Sequence, residues 1–264
     1  MDVNQIIELF NEQNPIALMI IVVGILLAVA SIVALIVQIF LAISYIKYNK
    51  KKNSAGLTGQ EAARRILDLN GLQHIKVTAS GSIMFGNSYS HYFKKVRLRR
   101  RIWKKDSLTS LAMAAQKSSL AVLDKEGDED MKKRVRLTPI LNFGPLLFIP
   151  LIIVGAVLDI IISNTFGIIT VVCTVAGILF YLYSFIMTIL VLKTEKKAQD
   201  EAMYILDKNN MATADEIEDM KKLFKLYNIE YINNMVISLL ELIYNVLRIV
   251  MILEGKGGAS KGND

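Results

Sequence analysis

Cysteine is almost missing from this chain. Cys173 stands alone among 264 residues, which excludes an internal disulfide and any multi-cysteine metal centre. Histidine is nearly as scarce: His74 and His91 are the full complement, whereas zinc hydrolases commonly commit two or three imidazoles to the metal alone. Charge is missing altogether from residues 16–46, a run of 31 apolar or uncharged positions. Such a gap excludes an ordinary soluble domain and is long enough to cross a bilayer. What the chain has in excess fits this picture. Hydrophobic residues make up 53% and the mean hydropathy is +0.41. The net charge of +7 calls for an anionic neighbour, which in a membrane protein is lipid headgroups before nucleic acid.

As a helix, the first run would extend roughly 46 Å against a hydrocarbon core of about 30 Å, so it must tilt or project. It is too long for a secretory signal, follows acidic residues and lacks a small-x-small cleavage site, so it reads as a retained anchor. Apolar runs over 139–162 and 166–192 are separated by Ser163, Asn164 and Thr165, which predicts a helical hairpin. Pro145 and Pro150 fall in the first half of its leading helix, to kink it or mark a start. Asp159, near the far end, is expected to reach headgroup water rather than to line an ion path. Residues 229–253 form a fourth apolar stretch, interrupted by Glu230, Asn233, Asn234, Glu241, Asn245 and Arg248. That pattern predicts an amphipathic helix lying on the membrane or against the hairpin, with a fourth span as the other reading.

Charge sets the expected orientation. Residues 1–15 carry Asp2, Glu8 and Glu12 and no cation, whereas 47–138 carry 21 Lys/Arg against 8 Asp/Glu. Lys47, Lys50, Lys51 and Lys52 follow the first run directly. The positive-inside rule places the N-terminus outside, 47–138 in the cytoplasm and, after the hairpin, 193–228 there as well.

The cytoplasmic portion reads as a small α+β domain. Thr58 with Glu61 three residues on is a capping box, an apolar stripe of Ala62, Ala63, Ile66, Leu67 and Leu69 follows, and Asn70-Gly71 ends the helix. Segments 75–78, 82–85 and 95–99 read as strands of an antiparallel sheet with one basic face. Gly81 and the Gly86-Asn87-Ser88 break separate them. A second helix is expected from Asp106 or Ser107 to about Leu123, then a charged loop over 124–136. The Gly/Lys/Ser tail, 254–264, reads as disordered.

The order of these segments, with their motifs, resembles the membrane-anchored neutral zinc metallopeptidase family (YugP-like) over most of residues 15–250. The likeness is carried by Thr58-Gly59-Gln60-Glu61 through Asn70-Gly71, by His91-Tyr92 followed by Lys95-Val96-Arg97-Leu98, and by Thr138-Pro139 with Asn142 and Gly144. Lys221-Lys222 and Tyr231, ahead of a leucine-rich helix, complete it. The departures from the family pattern fall on its chemistry. Its AAHEVGHA helix is similar to Ala114 through Ala121, with Gln116 and Leu120 at the two histidine positions and Lys117 at the glutamate. Its LPVEFDAS stretch resembles Leu192 through Gln199, keeping Glu195 but placing Lys197 at the aspartate. The Asp-Pro-Arg that follows the family's His-Tyr is also lost.

Elementary chemistry reads those positions the same way. HExxH presents two neutral imidazoles from one helix face, and its glutamate takes a proton from zinc-bound water. An amide is a poor zinc ligand, leucine is none, and an ammonium cannot accept a proton. A lysine ammonium about 4 Å from a divalent ion is repelled by roughly 8 kcal/mol at an effective dielectric near 20. The resemblance therefore implies a pseudo-metallopeptidase without catalytic residues, metal or cofactor, which keeps a groove for binding a membrane-protein partner.

Other readings of the same residues compete with it. An active membrane metallopeptidase with a non-standard site is the enzyme alternative. A Ser118 or Ser119 hydrolase using Lys117 fails because adjacent helix residues point apart. His91 is expected to be a hydrogen-bonding strand residue, and His74 to cap helix carbonyls. Arg97, Arg99 and Arg101, with Trp103 and Lys104-Lys105, could bind nucleic acid; without a nucleic-acid fold signature, anionic lipid is the better match. The lysines at 47 and 50–52 belong to the same lipid-facing set.

Overall fold

The computed structural model describes residues 15–80, 86–141, 144–163 and 167–260. Helix α1 (Pro15–Lys50) takes up the first apolar run and one further turn. It leaves Ile25, Ile32, Leu35 and Phe40 exposed, as expected of a segment that is apolar on every side. After it come α2 (Gly59–Leu69), β1 (Lys76–Ser80), β2 (Ser88–Ser90) and β3 (Lys95–Arg99). The short α3 (Arg100–Trp103), α4 (Leu108–Glu126) and α5 (Glu129–Leu141) lead to α6 (Gly144–Ser163). Two long helices, α7 (Ile168–Lys208) and α8 (Ala214–Ser260), complete the chain. Three of these, α1, α7 and the part of α8 up to Met251, are long and apolar enough to cross a membrane.

The hairpin forms as read, α6 packing along α7. The two helices meet closely at Gly155, where a Cβ would lie 2.9 Å from the Thr170 Cα and from the Cys173 Cβ. Pro145 is the second residue of α6 and Pro150 lies inside it. The expectation for Asp159 is corrected. Its carboxylate is 2% exposed and accepts from the backbone N–H groups of Gly167, Ile169 and Thr170 and from the Thr170 hydroxyl. An acid on one helix thus caps the next, satisfying donors that have no partner within their own helix. Asn164 and Thr165 of the intervening turn lie outside the described residues.

Helix α8 is continuous from Ala214 and runs antiparallel to α1. Asn233 donates to the Ala30 carbonyl, Gly24 lies near Tyr244, and Tyr48 donates to Asp219. The interrupting polar residues of 229–253 therefore do not break the helix, and α8 packs on α7 as well as on α1. It remains helical to Ser260, beyond the expected start of a disordered tail at 254; residues 261–264 lie outside the described residues.

The α+β unit is built around α4, which is buried almost throughout. Ser107 caps it by accepting from the Ser110 N–H, and Gly127, at φ 75°, ends it. At that φ a side chain would be strained. Helix α2 begins with the full capping box, Thr58 and Glu61 each bonding the other's backbone. Ala62, Ala63, Ile66 and Leu67, the inner face of α2, are wholly buried beside Leu108, Leu111 and Ala115 of α4. The core then takes in Val96 and Leu98 of β3, Leu206 of α7 and Leu223 of α8.

Gly59 in the Thr-Gly signature has a steric reason. A Cβ there would collide with the Ile102 carbonyl oxygen, backbone that cannot swing aside. Gly59→Ala is expected to cost about 1–3 kcal/mol, read as a lowered unfolding midpoint in detergent, with Gln60→Ala unchanged as the control.

The sheet differs from the sequence reading. Its order is β1-β3-β2, with β1 parallel to β3 and β2 antiparallel to it. Period-two alternation fixes faces and says nothing of strand direction, so the parallel pair was invisible. Ser88, read as part of a break, opens β2; the strand expected at 82–85 lies outside the described residues. The single basic face does form: Val96 and Leu98 are buried while Lys95, Arg97 and Arg99 alternate with them.

The charged loop expected over 124–136 is also corrected. Helix α4 extends to Glu126, and from Glu129 the chain is again helical. Here α5 packs on α7 with Met131 and Ala198 in one apolar cluster and through ion pairs that carry no hydrophobic period. Lys197 bonds both Asp128 and Asp130, and Lys193 reaches Asp130.

Candidate functional site

Helix α4 brings Gln116 and Lys117 against α7 a short way past the end of its apolar stretch. There Glu195 is the focus of three side chains. Gln116 Nε2 donates to Glu195 Oε2 at 2.9 Å, and Lys117 Nζ reaches the same oxygen at 2.6 Å. Arg134, from α5, bonds Glu195 Oε1 at 2.8 Å and the Thr194 hydroxyl at 2.9 Å. The cluster is largely closed to water: the side chains of Lys117, Glu195 and Arg134 are 12%, 15% and 17% exposed. Burial pushes the Glu195 carboxyl toward its neutral form. The Lys117 ammonium and the Arg134 guanidinium overcome this and hold its pKa down at about 2.

The remaining residues singled out from the sequence fall into two groups. Leu120, one turn after Gln116, packs with Leu123, Met131 and Ala198, so its position is filled with hydrocarbon. Lys197 points to the α5 acids, not to Glu195. Its pairs with Asp128 and Asp130 hold it protonated more firmly than usual. Burial, the largest single effect on Asp128, raises that acid, but Lys197 and the Met131 N–H together outweigh it, and both aspartates lie below the ordinary range.

Arg134 and Thr194 were missed by sequence reasoning. Arg134 stood in a basic run that reads as a solvated loop, and only the helical geometry of α5 aims it inward.

The two histidines lie elsewhere. His91 Nδ1 is 2.6 Å from Asp124 Oδ2, which also accepts from Tyr89. The hydrogen-bonding reading of His91 holds, although the residue sits in the turn after β2. His74 is exposed, and the carbonyls it was expected to cap are taken by others. The Asn70 side chain bonds Ile66, the Leu72 N–H bonds Leu67, the Gln73 side chain bonds Asp68, and Lys125 bonds Asn70. Ser118 faces the Ala63 carbonyl and the Ser119 hydroxyl is buried with no partner among the described residues, while Lys117 is turned to Glu195. No serine–lysine pair forms. Of the lysines expected to face lipid, Lys51 is paired with Asp219 and Lys52 with Asp106.

A cavity of about 400 Å³ opens beside the cluster. Its wall includes Arg99, Lys117, Glu195, Gln199, Asn228 and Tyr231. Tyr231 and Asn234 also line a second hollow, with Tyr181, Ser184 and Thr188, so polar side chains continue along the α7–α8 seam into its apolar half.

Three helices long and apolar enough to cross a membrane, carrying a small α+β unit with a polar cluster where they meet it, define a helical membrane-protein type of scaffold. The chain belongs to the family described as "Putative neutral zinc metallopeptidase", which it matches over residues 22–251. It is 27% identical over 213 residues to the "Putative membrane protease YugP" of Bacillus subtilis (strain 168), covering 78% of this chain and 85% of that protein. No solved structure matches it.

The family's name implies zinc, and the donor set at this cluster does not fit it. Among the described residues no three His, Cys, Asp or Glu side chains converge on one point. The carboxylate that is present, Glu195, is already neutralised by two cations, and the amide of Gln116 is a weak donor. A divalent ion would have to displace both Lys117 and Arg134.

Proposed function

We propose that this protein is a catalytically inactive, zinc-metallopeptidase-like protein of the bacterial cell membrane that acts by binding. One observation carries the proposal: the Lys117 ammonium lies on Glu195 at 2.6 Å, so a fixed cation of the chain itself occupies the ground where the family pattern needs a metal and a base. The family framework persists around it in the capped α2, the buried α4 and the polar cavity. A groove that has lost its chemistry still offers hydrogen-bonding groups to a membrane-protein segment, a client or an active homologue.

The orientation that goes with this reading puts the N-terminus outside and the α+β unit in the cytoplasm. Lys47, Lys50, Lys51, Lys52, Arg97, Arg99 and Arg101 then face anionic lipid. Lys51 and Lys52 contribute less than the others, because each has a carboxylate of its own.

Protein purified in mild detergent is expected to carry no stoichiometric zinc and to cleave no casein or model membrane peptide. One tightly held zinc per chain, lost in Glu195→Ala, would overturn the proposal and restore the reading of an active peptidase with a non-standard site.

A further inference from the structure

We propose that the tip joining β2 to β3, Tyr92 to Lys95, lies in the headgroup layer of a phospholipid bilayer with the Phe93 ring at its inner edge. The inference rests on the reading that α1, α7 and α8 cross a membrane, and adds a second kind of contact to it.

The tip turns its apolar rings away from the protein. Val96 and Leu98, just beyond, are fully buried, whereas Tyr92 is 61% and Phe93 69% exposed. Lys94 is exposed too, in a left-handed turn at φ 44°, and Lys95 places its Nζ 4.8 Å over the Phe93 ring. Two aromatics beside two lysines is the composition of an interfacial anchor: the rings favour the boundary with hydrocarbon, and the ammonium groups favour phosphates. No ion pair of Lys94 or Lys95 occurs among the described residues.

The height of the tip is fixed by its contacts. The Tyr92 hydroxyl donates to the Val135 carbonyl at 3.1 Å. Arg134, the preceding residue of α5, bonds Glu195. Glu195 is three residues past Leu192, the last residue of the apolar run, or about 4.5 Å along the helix. Each headgroup layer is roughly 5–8 Å deep. Tyr92 is therefore held near the level at which the apolar run of α7 ends, and the exposed ring of Phe93 is beside it.

The test uses the single tryptophan. Trp103→Phe removes the native indole, and Phe93→Trp, Phe40→Trp or Tyr204→Trp is added to separate copies of that background. Each protein is reconstituted into vesicles of phosphatidylcholine and phosphatidylglycerol, with or without bromine at a shallow acyl position. The exposed sites 93, 40 and 204 tolerate an indole without repacking the core. Tryptophan at 93 is expected to lose half or more of its emission to brominated lipid, with a blue-shifted maximum. At 204, twelve residues past the apolar run, emission should be unchanged. An unquenched position 93 alongside a quenched position 40 overturns the inference and leaves the membrane reading standing. If position 40 is unquenched as well, the membrane reading fails and the inference with it. Equal quenching at 93 and 204 also overturns it, because the tip would then hold no special depth.

Discussion

Glu195→Gln is expected to destabilise the protein by about 3–5 kcal/mol, because Lys117 and Arg134 stay buried without their counter-charge. Loss of one hydrogen bond alone would cost only about 1 kcal/mol, so the size of the effect separates the two accounts. Adding Lys117→Gln should recover part of the loss. In a double-mutant cycle the two substitutions then couple, whereas independent sites would add.

The same carboxylate makes stability depend on pH. Its folded pKa is depressed from 4.5 to about 2. The stabilisation is therefore fully present above the unfolded value and is lost as pH falls from about 4.5 through 2. The difference corresponds to about 3 kcal/mol. Asp128, Asp130 and Asp219 are lowered as well and act in the same direction, so the native protein is expected to weaken steeply in that window. Glu195→Gln should flatten the profile by the share that belongs to this group. Identical slopes in the two proteins would show that the cluster is not the acid-sensitive element.

Restoring the family pattern is expected to produce the other large effect. Gln116→His, Lys117→Glu and Leu120→His together place two imidazoles one turn apart on α4, facing Glu195 and Ala198 of α7. Without metal this variant should be less stable by about 2–5 kcal/mol, since Leu120 gives up its packing with Met131 and Ala198. With zinc at 100 times its dissociation constant, about 2.7 kcal/mol should return, and chelator should remove it again. The parent protein should respond to neither. A folded triple variant that takes up no zinc would mean that positions 116, 117 and 120 do not stand where the family holds its metal.

Much of this architecture is local enough to be written in short stretches of sequence. The capping box at Thr58, the helix start at Ser107, the Asn70-Gly71 stop and the hairpin all depend on neighbours within a few residues, and all formed as read. The errors share a different cause. Whether β1 runs parallel to β3 depends on a crossover, which alternation does not encode. Helix α5 looked like a loop because its partners, Lys193, Lys197 and Glu195, lie some sixty residues away and pair with it by charge. Asp159 looked like a headgroup contact because the donors it caps belong to the next helix. At the candidate site, the resemblance located Gln116, Lys117 and Glu195, which do come together. Arg134, the second cation on the carboxylate, carried no pattern that could announce it.

Helix α7 is one unbroken rod of 41 residues, carrying its apolar run at one end and Glu195 beyond it. Such a rod does not absorb a lean; it transmits it. With no break between the apolar run and Glu195, a tilt of the one moves the other, and α4, whose Leu111 shares a core with Leu206 of α7, moves with them.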